Sequence, residues 1–203
     1  MGKHEQISVT GEGAVQAVPD LMRLSAGVEV RRAEAGEAFT AVRAAAARLT
    51  KALIDAGVAA EDLRTNELSL GPEYVTYPKV AGYRAAQGIE AVVRVLDSAD
   101  KVIDAAVAVS EDVRLNGVTF EVSDPAGALA RAREQAFADA AAKAAQYATL
   151  AGRPLAGVLS VSDDVLGGPQ PVLHAAMAME ARSTVSPGQQ TLSVSVRVVY
   201  AIE

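Results

Sequence analysis

The segment that decides the fold is DPAGALARAREQAFADAAAKAAQYATLAG, residues 124–152. Asp124 and Pro125 are typical of a helix start, because an Asp side chain caps exposed amide groups and Pro suits the first helical position. Gly152 and Pro154 are typical of its end. One face of this helix carries mostly small side chains, at Leu129, Ala132, Ala136, Ala140, Ala144 and Tyr147. The sequence therefore predicts a long helix that another backbone approaches closely.

Strands are predicted on both sides of this helix. Apolar and polar residues alternate in the runs 7–17, 24–30, 68–77, 89–95, 118–122, 158–161 and 192–202. Such alternation is typical of antiparallel strands with one buried face. A second long helix is predicted over 34–56, ending at Gly57, and a short helix follows Ser98. We expect an α+β fold with a mixed, mostly antiparallel sheet, two long helices and one short helix.

Glycine and proline give finer predictions. Gly11 and Gly13 fall inside the first strand, and we interpret them as a bend or bulge. Pro19-Asp20 then predicts a hairpin between the first two strands. Gly71-Pro72 predicts an interruption of the strand over 68–77, with a loop over 77–82, and Asn116-Gly117 predicts a tight turn.

A long irregular segment is expected over residues 163–190. It contains Gly167-Gly168-Pro169, a run of small apolar residues and Ser186-Pro187-Gly188. Long segments without regular structure are usually functional or disordered. A chain of 203 residues is typical of one compact domain or of two small fused layers, and we expect a single domain over 1–203 with this irregular loop.

Composition limits the classes of function. The net charge is -6 and basic residues are scattered, so a nucleic-acid partner is not expected. The chain contains no Cys, which excludes disulfides and thiolate sites. No apolar run reaches transmembrane length, and residues 1–10 lack the apolar core of a signal peptide. We expect a cytoplasmic protein, or an envelope or secreted one if a leader is removed.

Catalytic patterns are not found. Gly11-Glu12-Gly13 is followed by Gln16 and does not open a helix, so it is not a dinucleotide fingerprint. The histidines are His4 and His174, and no nucleophile elbow accompanies them. We expect no catalytic residue, no cofactor and no enzyme activity. An enzyme whose substrate supplies most of the chemistry is a further alternative.

The irregular segment carries two competing hypotheses. His174, Met177 and Met179 offer one nitrogen and two thioethers, a donor set suited to Cu(I). A small-ligand or soft-metal-binding stress protein using this 174–179 loop is therefore the alternative function. The favoured interpretation is an apolar loop, including Val172, Met177 and Met179, that packs against another subunit.

Two tyrosines extend the set of interface candidates. Tyr74 and Tyr77 flank the turn region near Pro78. Their amphipathic rings suit an interface, and packing at the edge of the core is the other interpretation. The interface candidates are thus Tyr74, Tyr77, Val172, Met177 and Met179.

Several short motifs together resemble a known family. They are Ile7-Ser8-Val9-Thr10-Gly11-Glu12-Gly13, Pro19-Asp20, Gly27-Val28, Thr65-Asn66-Glu67-Leu68-Ser69-Leu70, Gly82-Tyr83 and Pro187-Gly188. In this order they resemble the SIMPL-domain family, which includes bacterial periplasmic immunogenic proteins and a mammalian kinase-associated signalling protein. The resemblance implies an α+β fold, ring-like or cage-like homo-oligomers, no established enzyme activity, and links to oxidative-stress defence or signalling.

The resemblance also shapes the expected function. We expect a non-enzymatic, self-assembling interaction module whose partner is a second copy of itself, or another protein. Two features depart from the family pattern. A signal peptide, common in bacterial relatives, is not evident, and Ser110-Glu111-Asp112 replaces the small residues usual before the following strand.

Overall fold

The computed structural model describes residues 5–164, 170–172 and 186–203. In chain order its elements are β1 (Gln6–Ala17), β2 (Leu21–Arg32), α1 (Ala35–Ala56), β3 (Leu63–Thr76), β4 (Lys79–Val93), α2 (Ala99–Val107), β5 (Val113–Glu121), α3 (Ala126–Ala151), β6 (Leu155–Asp164), β7 (Gln170–Val172) and β8 (Gln189–Ile202). Short 3-10 helices lie at Ala60–Asp62 and Leu96–Ser98. The predicted α+β class, with two long helices and one short helix, is confirmed.

The chain forms two compact units. The terminal unit contains β1, α3, β6, β7 and β8, and the central unit contains the chain from Asp20 to Glu121. Each unit has its own sheet, and every described strand pair is antiparallel. The strands are therefore divided between two sheets, and no parallel pairing occurs within the described residues. That residues 1–203 form a single domain stays a prediction.

In the terminal unit, α3 packs on a sheet whose central strand is β8. β1 pairs with one edge of β8, while β6 and β7 pair with the other edge. The core consists of alanine and valine side chains together with Tyr200: Val9, Ala132, Ala136, Ala140, Ala144, Val194, Val196, Val198 and Tyr200. The predicted alanine stripe is confirmed. The prediction that Tyr147 belongs to this stripe is wrong. The helical period places Ala148 on the buried face and leaves Tyr147 exposed to solvent.

The glycines of β1 are not a bulge, which corrects the sequence interpretation. β1 and β8 pair without a register shift from Gln6 to Ala17. A Cβ at Gly11 would lie 2.0 Å from the carbonyl oxygen of Ala136, and a Cβ at Gly13 would lie 2.0 Å from that of Ala132. The glycines are required because the α3 backbone lies directly on the strand.

In the central unit, α1 and α2 pack on a sheet of order β3-β4-β2-β5. The core is formed by the inward face of β2 and β4 and by the apolar stripe of α1. Its largest fully buried side chains are Met22, Leu24, Val28, Val42, Leu49, Leu53 and Val102. α1 ends at Gly57 with φ of 115°, in the left-handed conformation that the sequence predicts there.

Three connection predictions are wrong. β1 pairs with β8 and β2 pairs with β4 and β5, so the first two strands form no hairpin. Asn116-Gly117 is not a turn but a bulge inside β5. Gly71-Pro72 lies within an uninterrupted β3, and most of the expected loop over 77–82 belongs to β4.

The expected irregular segment over 163–190 is shorter than predicted. β6 continues to Asp164, β7 occupies Gln170–Val172, and β8 begins at Gln189. The rest of the segment that separates these strands lies largely outside the described residues.

Candidate functional site

The β3–β4 hairpin extends beyond the sheet to which it belongs. Thr76 pairs with Lys79, so the two strands are joined by a turn at Tyr77-Pro78. The pairing of β4 with β2 stops where Arg32 meets Tyr83. Residues 79–82 therefore pair with β3 alone. We call residues 72–82 the hairpin arm.

β3 is an edge strand along its whole length. Twelve of its 14 residues pair with β4 on one side, and the described residues place no strand on the other. Unpaired amide and carbonyl groups on a strand edge are ready to pair with another strand. The outer edge of β3 is thus able to accept a further strand.

β1, the corresponding edge strand of the terminal unit, is protected. The amide of Glu12 donates to Asp139 Oδ2 at 2.9 Å, and Lys143 Nζ donates to the carbonyl oxygen of Thr10 at 3.0 Å. Lys143 also forms an ion pair with Asp139, one helical turn away, at 2.7 Å. Lys143 and then the Glu12 amide hold the pKa of Asp139 below its ordinary value. Side chains of α3 thus occupy the edge of β1, and nothing equivalent occurs at β3 within the described residues.

An apolar strip runs along β3 on the face that carries the core. Leu70 is paired with Ala85, a fully buried residue, and paired residues lie on the same face of a sheet. Leu68 and Leu70 are nevertheless 56% and 46% exposed. Tyr74 and its partner Val80 continue the strip into the hairpin arm and are also exposed. We call Leu68, Leu70, Tyr74 and Val80 the apolar strip.

The two predicted tyrosines meet at the end of this strip. The ring centroids of Tyr74 and Tyr77 are 5.4 Å apart and the ring planes are inclined by 55°. Tyr77 is 81% exposed and Val75 beside it is also exposed. Edge-of-core packing therefore does not describe Tyr77, whereas an exposed aromatic pair suits an interface anchor.

An ion pair positions the hairpin arm. Arg31 at the end of β2 bonds Glu73 of the arm through Nε, with 3.0 Å to Oε2, and bonds Glu29 through Nη2 at 2.8 Å. Glu73, and then Glu29, raise the pKa of Arg31 above its ordinary value. The charged face of the arm is therefore tied to the sheet, while its apolar face stays open.

Of the other predicted site residues, the structure describes Val172 alone. His174, Met177 and Met179 lie outside the described residues, and Val172 ends the short strand β7 of the terminal unit. The copper and loop-interface hypotheses stay predictions. Within the described residues, no cluster of three His, Asp or Glu side chains is arranged to hold a metal ion. No helix there combines the length and apolarity needed to cross a membrane.

Sequence reasoning missed most of the apolar strip. The alternation of Leu68, Leu70 and Tyr74 is typical of a buried strand face, so it gives no sign of exposure. Exposure arises because the helices pack on β2 and β4 and leave β3 largely uncovered. A usable signal is the length of the predicted strand, since the run over 68–77 is longer than the runs over 24–30 and 89–95.

Comparisons with known proteins agree with one another. The model of the SIMPL family, described as a protein of unknown function (DUF541), matches residues 7–200. A 26 kDa periplasmic immunogenic protein of Brucella melitensis biotype 1 is 31% identical over 215 residues, covering 98% of this chain and 85% of the relative. Its counterpart in Brucella abortus strain S19 gives the same identity and coverage. The crystal structure of AtUAH in complex with glyoxylate aligns over 55% of this chain and 28% of the AtUAH chain at 16% identity. Its TM-score of 0.25 is too low to indicate a shared fold.

Proposed function

The chain belongs to the SIMPL family, and on this premise we propose that it is a non-enzymatic interaction module that assembles with copies of itself through the β3–β4 hairpin. The observation that carries the proposal is the open edge of β3 beside an uncovered apolar strip. An edge supplies backbone hydrogen bonds and the strip supplies apolar area, the two contributions that strand addition uses.

A second copy is the occupant that fits this edge. Antiparallel pairing of β3 with β3 of another copy, centred on Ser69, sets Leu68 opposite Leu70 and Glu67 opposite Gly71. Apolar side chains then meet on one face and like charges are not opposed. The same patch meets itself, as a two-fold dimer requires.

The contrast between the edge strands supports the choice of β3. Exposed edges are commonly blocked in monomeric proteins. In the terminal unit, Asp139 and Lys143 bond the outward backbone groups of β1. Among the described residues no strand pairs with the outer edge of β3, which favours strand addition there.

We also propose that the protein works in the bacterial envelope. The relatives from Brucella are named periplasmic proteins, and this replaces the cytoplasmic expectation, which no comparison supports. Ring or cage assembly, stress defence and signalling, which the family resemblance implies, stay predictions.

Cysteine cross-linking tests the proposal directly, because the natural chain contains no Cys. Ser69→Cys places one thiol at the proposed two-fold axis, where facing Cβ atoms lie about 5 Å apart. Ala47→Cys on the exposed side of α1 is the matched control. We expect a mild oxidant to convert S69C, and not A47C, into a disulfide-linked dimer seen on a non-reducing gel. Equal dimer yields, or a natural chain that stays monomeric at high concentration, would overturn the proposal.

A further inference from the structure

A single row of residues crosses the central sheet on the face opposite the helices. Glu67 of β3 is paired with Gly88 of β4, Gly88 with Gly27 of β2, and Gly27 with Arg114 of β5. The row thus reads carboxylate, glycine, glycine, guanidinium. Three interstrand spacings separate its ends, which is about 14 Å between backbones. Opposite charges therefore face each other across two residues without side chains.

The two glycines form the floor of a hollow. Its volume is about 210 Å³, and Gly27 and Gly88 line it together with Glu67, Arg114 and Asn116. A Cβ at Gly88 would lie 2.2 Å from Asn66 Oδ1, and a Cβ at Gly27 would lie 2.9 Å from the carbonyl oxygen of Gln87. Side chains are excluded at both positions, at Gly88 because the side chains of Asn66 and Glu67 already lie over it, and at Gly27 because the backbone of β4 lies beside it.

A register shift flanks the hollow on each side. On β3 the pairing passes from Thr65 to Glu67, so Asn66 is the extra residue. On β5 the partners of Ser25 and Ala26 are Gly117 and Leu115, so Asn116 is the extra residue. Bulges redirect side chains and are common beside functional sites. The two bulges thus place Asn66 at the floor of the hollow and Asn116 at its rim.

Among the described residues, the charged side chains at the two ends of the row, Glu67 and Arg114, keep hydrogen-bonding groups without a partner. Among the described residues, the Glu67 carboxylate has neither a hydrogen bond nor an ion pair. Arg114 uses Nη1 to bond the carbonyl oxygens of Glu111 and Val113 at 2.9 and 3.0 Å. Its Nε and Nη2 groups have no partner in the part of the chain that the structure describes. A guanidinium has five N–H donors, so Arg114 retains donors for a carboxylate.

The remaining charges of the rim are already neutralised. Glu29 is bonded by Arg84 at 3.1 Å and by Arg31 at 2.8 Å. This cluster therefore has less to offer a ligand than the two ends of the row. The hollow has a negative pole at Glu67 and a positive pole at Arg114.

We propose that this hollow binds a free α-amino acid as its zwitterion, with the ammonium group at Glu67 and the carboxylate at Arg114. The hollow is smaller than the 300–1,000 Å³ typical of drug-sized ligand sites, which limits the occupant to a small molecule. The backbone atoms of the ligand lie over Gly27, beside the Asn66 side chain that covers Gly88, and the ligand's side chain points to solvent. Small side chains are therefore tolerated without strong selection.

Titration of the full chain with glycine, L-alanine and L-serine tests the inference. Amide chemical shifts of Gly27 and Gly88 report occupancy of the floor. N-acetylglycine lacks the ammonium group and glycinamide lacks the carboxylate, so each should lose binding relative to glycine. We expect saturable shifts with glycine at millimolar concentrations and at least about tenfold weaker binding for both blocked compounds.

Two pairs of variants locate the site. Glu67→Gln and Arg114→Gln should each weaken glycine binding at least about tenfold, since each removes one charge-assisted hydrogen bond. Glu37→Gln and Arg48→Gln change the same residue types on the exposed side of α1 and should leave binding unchanged. Circular dichroism confirms that each variant is folded. No saturable shift with any zwitterion, equal binding of the blocked compounds, or unchanged binding in E67Q and R114Q would overturn the inference.

Discussion

Gly11 of β1 and Ala136 of α3 are in backbone contact, with a distance of only 2.0 Å between the position of a Cβ on Gly11 and the carbonyl oxygen of Ala136. The same Cβ would lie 2.8 Å from the Cβ of Ala140. Helix and strand therefore touch through residues with the smallest side chains. This close approach places Asp139 and Lys143 beside the edge of β1, where they bond its outward groups.

The first prediction concerns this contact. Gly11→Ala should lower the free energy of unfolding by about 1–3 kcal/mol or more, because the added methyl group meets backbone atoms that move only with the helix. Gly127→Ala in the first turn of α3 is the control, since nothing lies within 4 Å of a Cβ there. It should be neutral or stabilising by up to about 1 kcal/mol. Urea denaturation measures both, and equal effects of the two variants would contradict the packing argument.

The second prediction tests the helix side of the same contact. Ala140→Leu should destabilise the protein by about 1–3 kcal/mol through overpacking, because Ala140 is fully buried against Gly11. Ala142→Leu on the exposed side of α3 should change the unfolding free energy by less than about 0.5 kcal/mol. Thermal or urea unfolding checks both variants. A change within error for Ala140→Leu would show that the stripe is not packed.

Local patterns in the sequence were sufficient for the helices. Asp124 accepts a hydrogen bond from the Ala126 amide at 3.0 Å, and Gly152 adopts φ of 65°, as the capping residues predict. The spacing of alanines indicated that a backbone would approach α3. It did not indicate which backbone, because a contact between β1 and α3 joins residues more than 120 positions apart. Gly11 was therefore interpreted locally, as a bulge.

Strand pairing was less predictable for the same reason. Alternation identifies a strand but not its neighbour, so β1 was paired with β2 by proximity in sequence. The bulge at Asn116 has the composition of a tight turn, and only its register with β2 distinguishes the two. The apolar strip has the alternation that is typical of a buried strand face. Its exposure depends on which strands of the sheet α1 covers. Tyr74 and Tyr77 are interface candidates on sequence alone, because aromatic residues near Pro78 are conspicuous without tertiary information, and their role stays a prediction.

The third prediction concerns pH. Glu90 lies between Arg64, at 2.8 Å, and Arg23. The hydrogen bond from Arg64, and then that from Arg23, hold the pKa of Glu90 below its ordinary value against the opposing effect of burial. A lowered folded-state pKa means that the ionised carboxylate stabilises the fold above pH 4.5, its ordinary value, and that this contribution is lost as the pH falls through the folded value.

Glu90→Gln should therefore cost about 1–3 kcal/mol of unfolding free energy at neutral pH, and the difference from the natural protein should shrink in acid. Asp55→Asn, which breaks the exposed Lys51–Asp55 pair on α1, should cost less than about 1 kcal/mol. Urea unfolding at a series of pH values measures both. A Glu90→Gln deficit that stays constant into acid would refute the titration argument.

The fourth prediction concerns the hairpin arm. Tyr74 and Tyr77 are exposed and form a tilted aromatic pair at the end of the apolar strip, so a monomer leaves their rings in water. Burial against a second copy gains about 25 cal/mol per Å² of apolar area. The double substitution Tyr74→Ser and Tyr77→Ser should therefore shift the native mass distribution toward smaller species, with circular dichroism unchanged. Tyr147→Ser removes a ring of intermediate exposure, 57% against 47% for Tyr74 and 81% for Tyr77, from α3 of the terminal unit and should leave the distribution as it was. If Tyr147→Ser reduces the mass and the hairpin double variant does not, assembly uses the terminal unit and the role proposed for β3 is wrong.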